Sequence, residues 1–346
     1  MLDMIAAPPE RAASSAAVPA GDFGFQTIVG RSRVLRDAVK LAERMAASRT
    51  TVLLVGPTGS GKELFARGIH YAGPTAGEPF VAVNCAAIPE VLLESELFGQ
   101  EGDPRTGGAA RRGLVELAGA GTLFLDEIST LPMKLQPKLL HLLEGRQFRR
   151  IGGVDEVEVG CRIIAASNVS LEDAIARGEF REDLFYRLNV FHLNLPRLRD
   201  READIELLAR HFLERTAREH GAEPKRLGAD AVAALHLHAW PGNVRELKNV
   251  VERAAVLCEG RTIGAEHLVI QRRTSHPATP EAAGTRILIP TGGKPLAEIE
   301  REAVLLTLKM VGGNQSAAAR ILGISRPTLA RKLRPAPAGD GEEASE

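Results

Sequence analysis

The sequence predicts an α/β fold in which a parallel sheet carries helices on both faces, followed by an α-helical lid and a C-terminal helix-turn-helix. Three patterns support this prediction. Between Phe25 and Pro196, short apolar runs alternate with segments whose apolar residues recur every three or four positions. From Asp204 to about Leu268 only the helical spacing remains. A last helical unit follows a stretch rich in Pro and Gly.

Apolar runs and helical spacing place the elements. The predicted strands are Thr51–Val55, Phe80–Asn84, Thr122–Leu125, Arg162–Ala166 and Val190–Leu195. The predicted helices include Val34–Ala46, Lys62–Tyr71, Leu135–Leu143, Asp204–His220, Ala229–Leu237 and Val244–Glu259. We therefore expect a disordered leader at 1–24, an α/β core at 25–200, a lid at 201–270, a linker at 271–294, a helix-turn-helix at 295–334 and an acidic tail at 335–346.

Composition limits the possible classes of protein. The 44 basic and 44 acidic residues cancel, so the net charge indicates no partner. Cys85, Cys161 and Cys258 stand apart from one another, which argues against disulfides or a zinc site. No apolar run approaches the ~18 residues of a membrane span. The leader lacks a basic start and an apolar block, so we expect a cytoplasmic protein. Only about 25 residues precede the α/β core, too few for a sensing domain, so we expect control by a partner, by the expression level or by contacts to the assembly itself.

A phosphate-binding loop follows the first predicted strand. Its residues are Gly56, Pro57, Thr58, Gly59, Ser60, Gly61 and Lys62. The glycines let the backbone aim N–H groups at phosphate oxygens, and the start of the next helix adds a positive dipole end. The Lys62 ammonium would reach the terminal phosphates. Glu63 stands where most such loops carry a Mg²⁺-binding hydroxyl. The alternative is a Gly-rich turn between a strand and a helix.

A second motif, about 60 residues later, makes the assignment of a nucleotide site more specific. Gly121–Glu127 is a turn followed by an apolar strand that ends in two acids. Asp126 would hold Mg²⁺ directly or through water, and Glu127 would orient the water that attacks the γ-phosphate. Two acids at a strand end are often only solvated. Behind a phosphate loop, however, they indicate hydrolysis of a nucleoside triphosphate.

The last unit has the pattern of a helix-turn-helix. Leu296–Val311 and Gln315–Leu322 read as helices that end at glycines, and Ser325 caps a third, Arg326–Arg334. Lys294 to Arg334 carries eight basic and three acidic residues, a net charge of +5, which is typical of DNA binding. The candidate base or phosphate contacts are Thr328, Arg331 and Lys332, with Arg326 and Arg334 on the DNA backbone. The alternative is a three-helix packing unit with a solvated basic face.

With these motifs the chain resembles the AAA+ bacterial enhancer-binding proteins, the activators of sigma-54 RNA polymerase. The resemblance covers roughly Thr27 to Leu333, and the C-terminal unit resembles their Fis-type helix-turn-helix. The motifs that carry it are Gly56–Glu63, Glu94–Gly99, Gly121–Ile128, Phe180–Asn189 and Trp240–Leu247. It implies ATP and Mg²⁺ in a ring, hexameric in this family, that binds promoter-upstream DNA and acts on RNA polymerase holoenzyme.

The resemblance also implies roles for five residues outside the phosphate loop. Arg181 and Arg187 would be arginine fingers that reach the γ-phosphate held by a neighbouring subunit. Asn168 would be the first sensor of the γ-phosphate and Arg245 the second. Asn84 would hold the catalytic glutamate inactive until the ring is engaged. For the arginines the alternative is a surface ion pair, because acids lie beside them in the sequence.

One loop departs from the family pattern. Relatives carry Gly-Ala-Phe-Thr-Gly-Ala here, with the Phe and Thr touching the sigma factor; this chain keeps Thr106 and Gly107 but has Arg105 in place of the aromatic, after Asp103 and Pro104. Losing an aromatic anchor removes burial typical of binding hot spots. We therefore expect weakened contact with sigma-54, and the housekeeping sigma factor becomes a second candidate partner. Two competing hypotheses of a different class are an AAA+ remodelling enzyme and a DNA-binding protein with an inert nucleotide site.

Overall fold

The computed structural model describes residues 24–102, 109–270 and 295–333, which belong to two compact units, 1–270 and 271–346. In the first unit the strands are β1 (Val52–Val55), β2 (Phe80–Asn84), β3 (Thr122–Asp126), β4 (Gln147–Arg149), β5 (Glu156–Glu158), β6 (Arg162–Ser167), β7 (Phe191–Asn194), β8 (Arg226–Leu227) and β9 (Thr262–Ile263). Its helices are α1 (Arg33–Ala46), α2 (Lys62–Tyr71), α3 (Glu90–Phe98), α4 (Leu114–Ala118), α5 (Gln136–Gly145), α6 (Leu171–Ala176), α7 (Glu182–Leu188), α8 (Glu202–Glu219), α9 (Ala229–Leu237) and α10 (Asn243–Leu257).

The five predicted strands form one sheet in the order β2-β3-β6-β1-β7, and every neighbouring pair is parallel. The predicted α/β class is therefore confirmed. Because all five strands run the same way, the loops after them meet at one edge of the sheet. That edge carries the phosphate loop after β1, the two acids at the end of β3 and Asn168 after β6.

Helices cover both faces of the sheet, as the sequence predicted. Leu53 and Leu54 are neighbours in β1, yet their side chains enter different cores, because successive strand residues point to opposite faces. Leu54 packs with Phe65 of α2, whereas Leu53 belongs to the larger core that includes Leu123 and Leu139. A strand buried on both faces explains why the run before the phosphate loop is continuously apolar.

The lid packs α8, α9 and α10 around its own core, with Trp240 at 1% exposure and its indole Nε1 donating to the Leu235 carbonyl at 2.8 Å. The β4–β5 hairpin, a small antiparallel pair, was not predicted from the sequence. Among the described residues, no helix combines the length and apolar character that crossing a membrane requires.

The second unit contains α11 (Leu296–Met310), α12 (Gln315–Ile321) and α13 (Arg326–Leu333). The Asn314 side chain caps α12 by accepting from the Ser316 and Ala317 N–H groups. Ser325 caps α13 as predicted, since its Oγ accepts from the Thr328 N–H at 3.3 Å. A small core of Val304, Ala318, Ala319 and Leu329 joins the three helices. The predicted helix-turn-helix is thus confirmed.

His70 joins the helix after the phosphate loop to the acid-bearing strand. Its side chain is fully buried, with Nδ1 2.8 Å from the Thr122 hydroxyl of β3, and Nε2 has no partner among the described residues. Burial lowers the pKa of His70 from 6.5 to about 4. The neutral ring therefore holds α2 against β3 at physiological pH.

Acidification should accordingly destabilise the fold through His70. Between about pH 6.5 and pH 4 the unfolded state binds a proton that the folded state does not, so stability falls as the pH falls. We expect the wild type to lose about 2 kcal/mol more than a His70→Gln variant between about pH 7.5 and pH 5. Urea unfolding at the two pH values measures this difference. Equal losses in the two proteins would contradict a neutral His70.

Candidate nucleotide site

The phosphate loop takes its shape from two glycines that no other residue could replace easily. Gly59 has φ 77°, and a Cβ there would lie 2.3 Å from the Gly242 carbonyl oxygen of the lid. Gly61 has φ 100° and immediately precedes α2. Both angles lie in the left-handed region that favours glycine. The loop therefore turns sharply into the positive end of α2, as its sequence predicted.

Lys62 lies at the base of this loop and is almost completely buried. Its ammonium donates to the carbonyl oxygens of Gly56 at 2.8 Å and Pro57 at 3.3 Å. Burial lowers the pKa of Lys62, and the charges of Asp126 and Glu127 oppose that effect. The cation is thus brought close to both predicted acids, although they lie more than 60 positions away in the sequence.

Other loop residues add polar groups of different kinds. The Ser60 hydroxyl is buried and has no hydrogen-bond partner in the described part of the chain. A buried polar atom without a partner is costly, so a ligand that supplies one fits this position. Glu63, by contrast, is exposed and pairs with Arg67 one turn along α2 at 2.8 Å. Its carboxylate therefore does not replace the hydroxyl common at this position in such loops.

The two acids differ in backbone conformation. Asp126 ends β3, and its Oδ1 accepts from the Glu127 N–H at 3.0 Å. Glu127 has φ 54° and ψ 44°, a left-handed conformation that residues with a side chain rarely adopt. The Thr130 N–H and hydroxyl both bond to the Glu127 carbonyl, at 2.9 and 2.8 Å, and hold this turn. Local strain of this kind concentrates at functional sites.

Asn168 and the lid both contact the phosphate loop at Thr58. The Asn168 amide donates to the Thr58 hydroxyl at 3.3 Å. The Asn243 amide donates to the Thr58 carbonyl at 3.0 Å, and the Val244 N–H donates to the Gly59 carbonyl at 3.0 Å. The lid is therefore hydrogen-bonded directly to the loop that would hold phosphate.

Arg245 follows these lid residues and lies beside the loop. A Cβ on Gly59 would be 3.0 Å from the Arg245 Cβ, and the Arg245 charge also acts to lower the pKa of Lys62. The structure thus brings the predicted second sensor to the predicted site. Asn243 was missed from the sequence, although an Asn after Gly suits its left-handed φ of 51°.

Asn84 ends β2 directly opposite Asp126 in the register of the sheet. Its Oδ1 accepts from the Ala86 and Ala87 N–H groups at 2.9 and 3.1 Å. Among the described residues, no side-chain hydrogen bond joins Asn84 to Glu127. The residue therefore lies at the correct edge of the sheet, and its role as a switch stays a prediction.

The two predicted fingers lie at either end of α7. Arg181 precedes the helix and forms a bidentate pair with Asp183, at 3.0 and 2.7 Å. Arg187 is exposed in the last turn and forms no ion pair with any described residue. The alternative of a surface ion pair therefore describes Arg181 but not Arg187. Within the described part of the chain, neither guanidinium bonds to the phosphate loop.

A cavity of about 780 Å³ opens beside the phosphate loop. Its walls come from residues 26–29, which we call the strap, from the start of α2 and from one face of α8. The lining is largely apolar and includes Ile28, Val29, Leu64, Leu208, His211 and Phe212. A nucleoside fits a cleft of this size and chemistry. This wall was not predicted from the sequence, because Leu208 and Phe212 have the ordinary spacing of core residues on a helix.

The predicted DNA-contacting residues differ in their surroundings. Lys332 pairs with Glu300 of α11, and the Thr328 hydroxyl bonds to Ser325 at 2.7 Å. Arg326 and Arg331 are exposed and form no ion pair with any described residue. Arg334 lies outside the described residues, as do Asp103, Pro104, Arg105, Thr106 and Gly107 of the departing loop.

A phosphate loop after β1, paired acids at the end of β3 and a helical lid touching the loop define a P-loop nucleoside triphosphatase of the AAA+ class. Residues 28–194 match the sigma-54 interaction domain family, and residues 199–285 match the AAA+ ATPase lid domain. Residues 295–334 match the Fis family of bacterial regulatory proteins. These three matches follow the order of the core, the lid and the C-terminal unit.

Individual proteins of this kind are also similar to the chain. The chain is 46% identical to the regulatory protein AtoC of Escherichia coli over 312 residues, which cover 89% of this chain and 67% of AtoC. It is 42% identical to FlbD of Caulobacter vibrioides over 343 residues, covering 96% of this chain and 75% of FlbD. A crystal structure of NtrX from Brucella abortus with ADP aligns with a TM-score of 0.66 and 36% identity, covering 88% of this chain and 69% of NtrX.

The chain therefore belongs to the family of sigma-54-dependent transcriptional activators, in which an ATP-binding AAA+ domain is joined to a Fis-type DNA-binding domain. The predicted family, fold and ATPase class are confirmed. A crystal structure of NtrX with ATP aligns in the same way, and the match covers 88% of this chain and 68% of NtrX.

Proposed function

We propose that this protein binds ATP and Mg²⁺ at an interface between two protomers of a ring, and that hydrolysis there drives its action on RNA polymerase. The observation that carries this proposal is the convergence of Lys62, Asp126 and Glu127 at one edge of the sheet. Family membership favours this function over that of a general remodelling enzyme. The helix-turn-helix favours it too, since an unfoldase needs no DNA-binding unit.

Each residue of the site has a different role in ATP binding and hydrolysis. The Lys62 ammonium balances phosphate charge, and the loop N–H groups with the Ser60 hydroxyl bond to phosphate oxygens. The Glu127 carboxylate orients the attacking water and accepts its proton. Asp126 is the residue placed to hold Mg²⁺, which neutralises charge on the β- and γ-phosphates when bound. Asn168 reaches the loop through Thr58, where it can respond to the γ-phosphate.

Arg187 is the stronger candidate for the finger supplied by the neighbouring protomer. Its exposed guanidinium has no acidic partner in the described residues, so no intramolecular ion pair must break when it engages a phosphate. Arg181 would first have to leave Asp183, with which it shares two hydrogen bonds. A charge supplied in trans makes hydrolysis depend on assembly. The family precedent for that assembly is a hexamer.

We assign contact with RNA polymerase to the departing loop, whose stem is well anchored. Gln100 and Arg111 exchange backbone hydrogen bonds at 2.9 and 2.8 Å, and Glu101 N–H donates to the Ile151 carbonyl at 2.9 Å. Beneath them Arg150 forms two bonds with Glu116, which lower the pKa of that carboxyl. The stem on both sides of the departing loop is thus joined to the β4–β5 hairpin segment, and the changed residues Asp103 to Arg105 lie outside the described residues.

Transcription in vitro with purified polymerase should separate the two candidate sigma factors. Because Arg105 replaces an aromatic anchor, we expect weak stimulation of the sigma-54 holoenzyme, and an Arg105→Phe variant should stimulate it about tenfold more. An Arg105→Lys variant is the matched control and should behave as the wild type. Full stimulation of the sigma-54 enzyme by the wild type would contradict the assigned weakness of this loop. Stimulation of the housekeeping enzyme alone would identify that enzyme as the partner.

A further inference from the structure

A buried ion pair lies behind the strap wall of the cavity. Asp204, near the start of α8, is 0% exposed, and Arg201, just before that helix, is 3% exposed. The Arg201 Nε donates to the Asp204 carboxylate at 2.9 Å. Burying two charges is costly unless further hydrogen bonds satisfy them. Those further bonds all lead to the chain immediately after the strap and to the strap itself.

Residues 29–32 supply the remaining partners. The Arg31 and Ser32 N–H groups donate to the Asp204 Oδ1 at 2.6 and 2.9 Å, and the Ser32 hydroxyl donates to Oδ2 at 2.6 Å. Arg201 in turn donates to the Val29 carbonyl at 3.0 Å. Burial acts to raise the pKa of Asp204, but these hydrogen bonds outweigh burial and leave the pKa below its usual range. Two distant segments are therefore held together by one charged cluster.

Gly30 shows how tightly the segment and the ion pair fit. A Cβ at Gly30 would lie 2.8 Å from the Asp204 Oδ2 and 2.9 Å from the Arg201 Nη2. The same Cβ would lie 2.2 Å from the Leu35 Cδ2, so a side chain at Gly30 would require Leu35 and the ion pair to move. Val29 and Arg201 themselves line the cavity, whereas Asp204 lies outside its lining. The cluster thus fixes two walls of the cavity, and none of its side-chain hydrogen bonds among the described residues goes to the phosphate loop.

We propose that Asp204 and Arg201 are positioning residues for the nucleoside half of the ligand, because they hold residues 29–32 against α8 and so set the width of the cleft that receives the base. This inference rests on the proposed ATP function. The nucleotide site would then have two parts. The phosphate loop would bind the triphosphate independently, and the Asp204–Arg201 cluster would govern only the additional affinity that the nucleoside supplies.

The test compares ATP with inorganic triphosphate, each titrated by calorimetry into the full-length protein. An Asp204→Asn variant keeps the shape of the side chain but replaces one acceptor oxygen facing Arg201 and Ser32 with a donor. We expect it to bind ATP at least about tenfold more weakly, while triphosphate affinity stays unchanged. Asp230→Asn is the matched control, since that lid carboxylate accepts from the Ala265 N–H at 2.7 Å, away from the cavity. The control should bind both ligands as the wild type does.

If the role of Asp204 were merely structural, partial unfolding of the variant would lower its affinity for both ATP and triphosphate. That result would overturn the inference. Unchanged ATP affinity in Asp204→Asn would overturn it as well. If Asp204→Asn does not fold, Ser32→Ala removes one donor from the same carboxylate and should weaken ATP selectively by about threefold. Equal effects of Ser32→Ala on both ligands would count against the inference. Failure of the wild type to bind ATP at all would instead overturn the proposed function, and the inference with it.

Discussion

Replacing Lys62 with alanine should reduce ATP turnover by at least about 100-fold. The Lys62 ammonium is the cation at the base of the phosphate loop, held between the Gly56 carbonyl and the field of Asp126 and Glu127. Without it, the loop itself would offer the phosphates only its backbone N–H groups, the Ser60 hydroxyl and the positive helix end. Turnover and nucleotide affinity, measured together, should both fall, and promoter activation should be lost with them.

The matched control for Lys62→Ala is Lys40→Ala, which removes an exposed lysine from α1. The control should leave turnover unchanged. Thermal stability of the Lys62 variant should not fall, because a buried cation with lowered pKa is removed along with its desolvation cost. If the Lys62→Ala variant activates the promoter as well as the wild type does, that result would contradict the proposal that ATP hydrolysis drives activation.

Replacing Glu127 with glutamine should separate binding from hydrolysis. The amide cannot accept a proton from the attacking water, so we expect turnover to fall by about 10²- to 10⁴-fold. ATP affinity should be retained, since glutamine has nearly the same shape and Lys62 remains in place. Single-turnover hydrolysis and equilibrium ATP binding measure the two quantities. A matched Glu144→Gln change, at an exposed site on α5, should alter neither.

Two results would contradict this assignment of Glu127. One is hydrolysis within a few-fold of the wild type, which would transfer the proton-accepting role to another group. The other is loss of ATP binding together with hydrolysis, which would make Glu127 a support of the site. A Glu127→Gly variant adds a further check, because glycine adopts φ 54° freely. It should be inactive yet more stable by about 1 kcal/mol if the strained conformation is retained for chemistry.

The parts of the site that sequence alone predicts are those carried by short, contiguous motifs. The phosphate loop lies directly after β1, and Asp126 and Glu127 lie at the end of β3, so local pattern was enough to place them. Parallel strands then bring their carboxyl ends to one edge of the sheet, whatever the loops contain. Asn168 and Arg245 also reach this edge, and their roles were implied by the family resemblance rather than by periodicity.

The parts that the sequence did not predict depend on contacts between distant segments. Asp204 has the spacing of an ordinary polar residue in the first turn of a helix, and only the folded chain shows its bonds to Arg31 and Ser32, more than 170 positions earlier. The strap wall of the cavity is formed in the same way. The left-handed φ of Glu127 was not predicted either, because residues with a side chain rarely adopt it.

The DNA-binding unit also contains a contact that the sequence did not predict. The sequence placed Thr328, Arg331 and Lys332 together on one helix, and α13 confirms that placement. The ion pair between Lys332 and Glu300 of α11 was not predicted from the sequence. DNA would therefore have to compete with this carboxylate for Lys332, whereas Arg326 and Arg331 are exposed and form no ion pair with any residue that the structure describes.

The central proposal is that one active site takes its glutamate from one protomer and its arginine from the next. Mixing two inactive variants, Glu127→Gln and Arg187→Ala, tests this most directly. Rings assembled from equal amounts should place an intact Glu127 opposite an intact Arg187 at roughly a quarter of the interfaces, because each subunit contributes a different half of a head-to-tail contact. We predict recovery of ATP turnover well above that of either variant alone. Co-assembly of the two variants without any recovery would contradict a site shared between protomers.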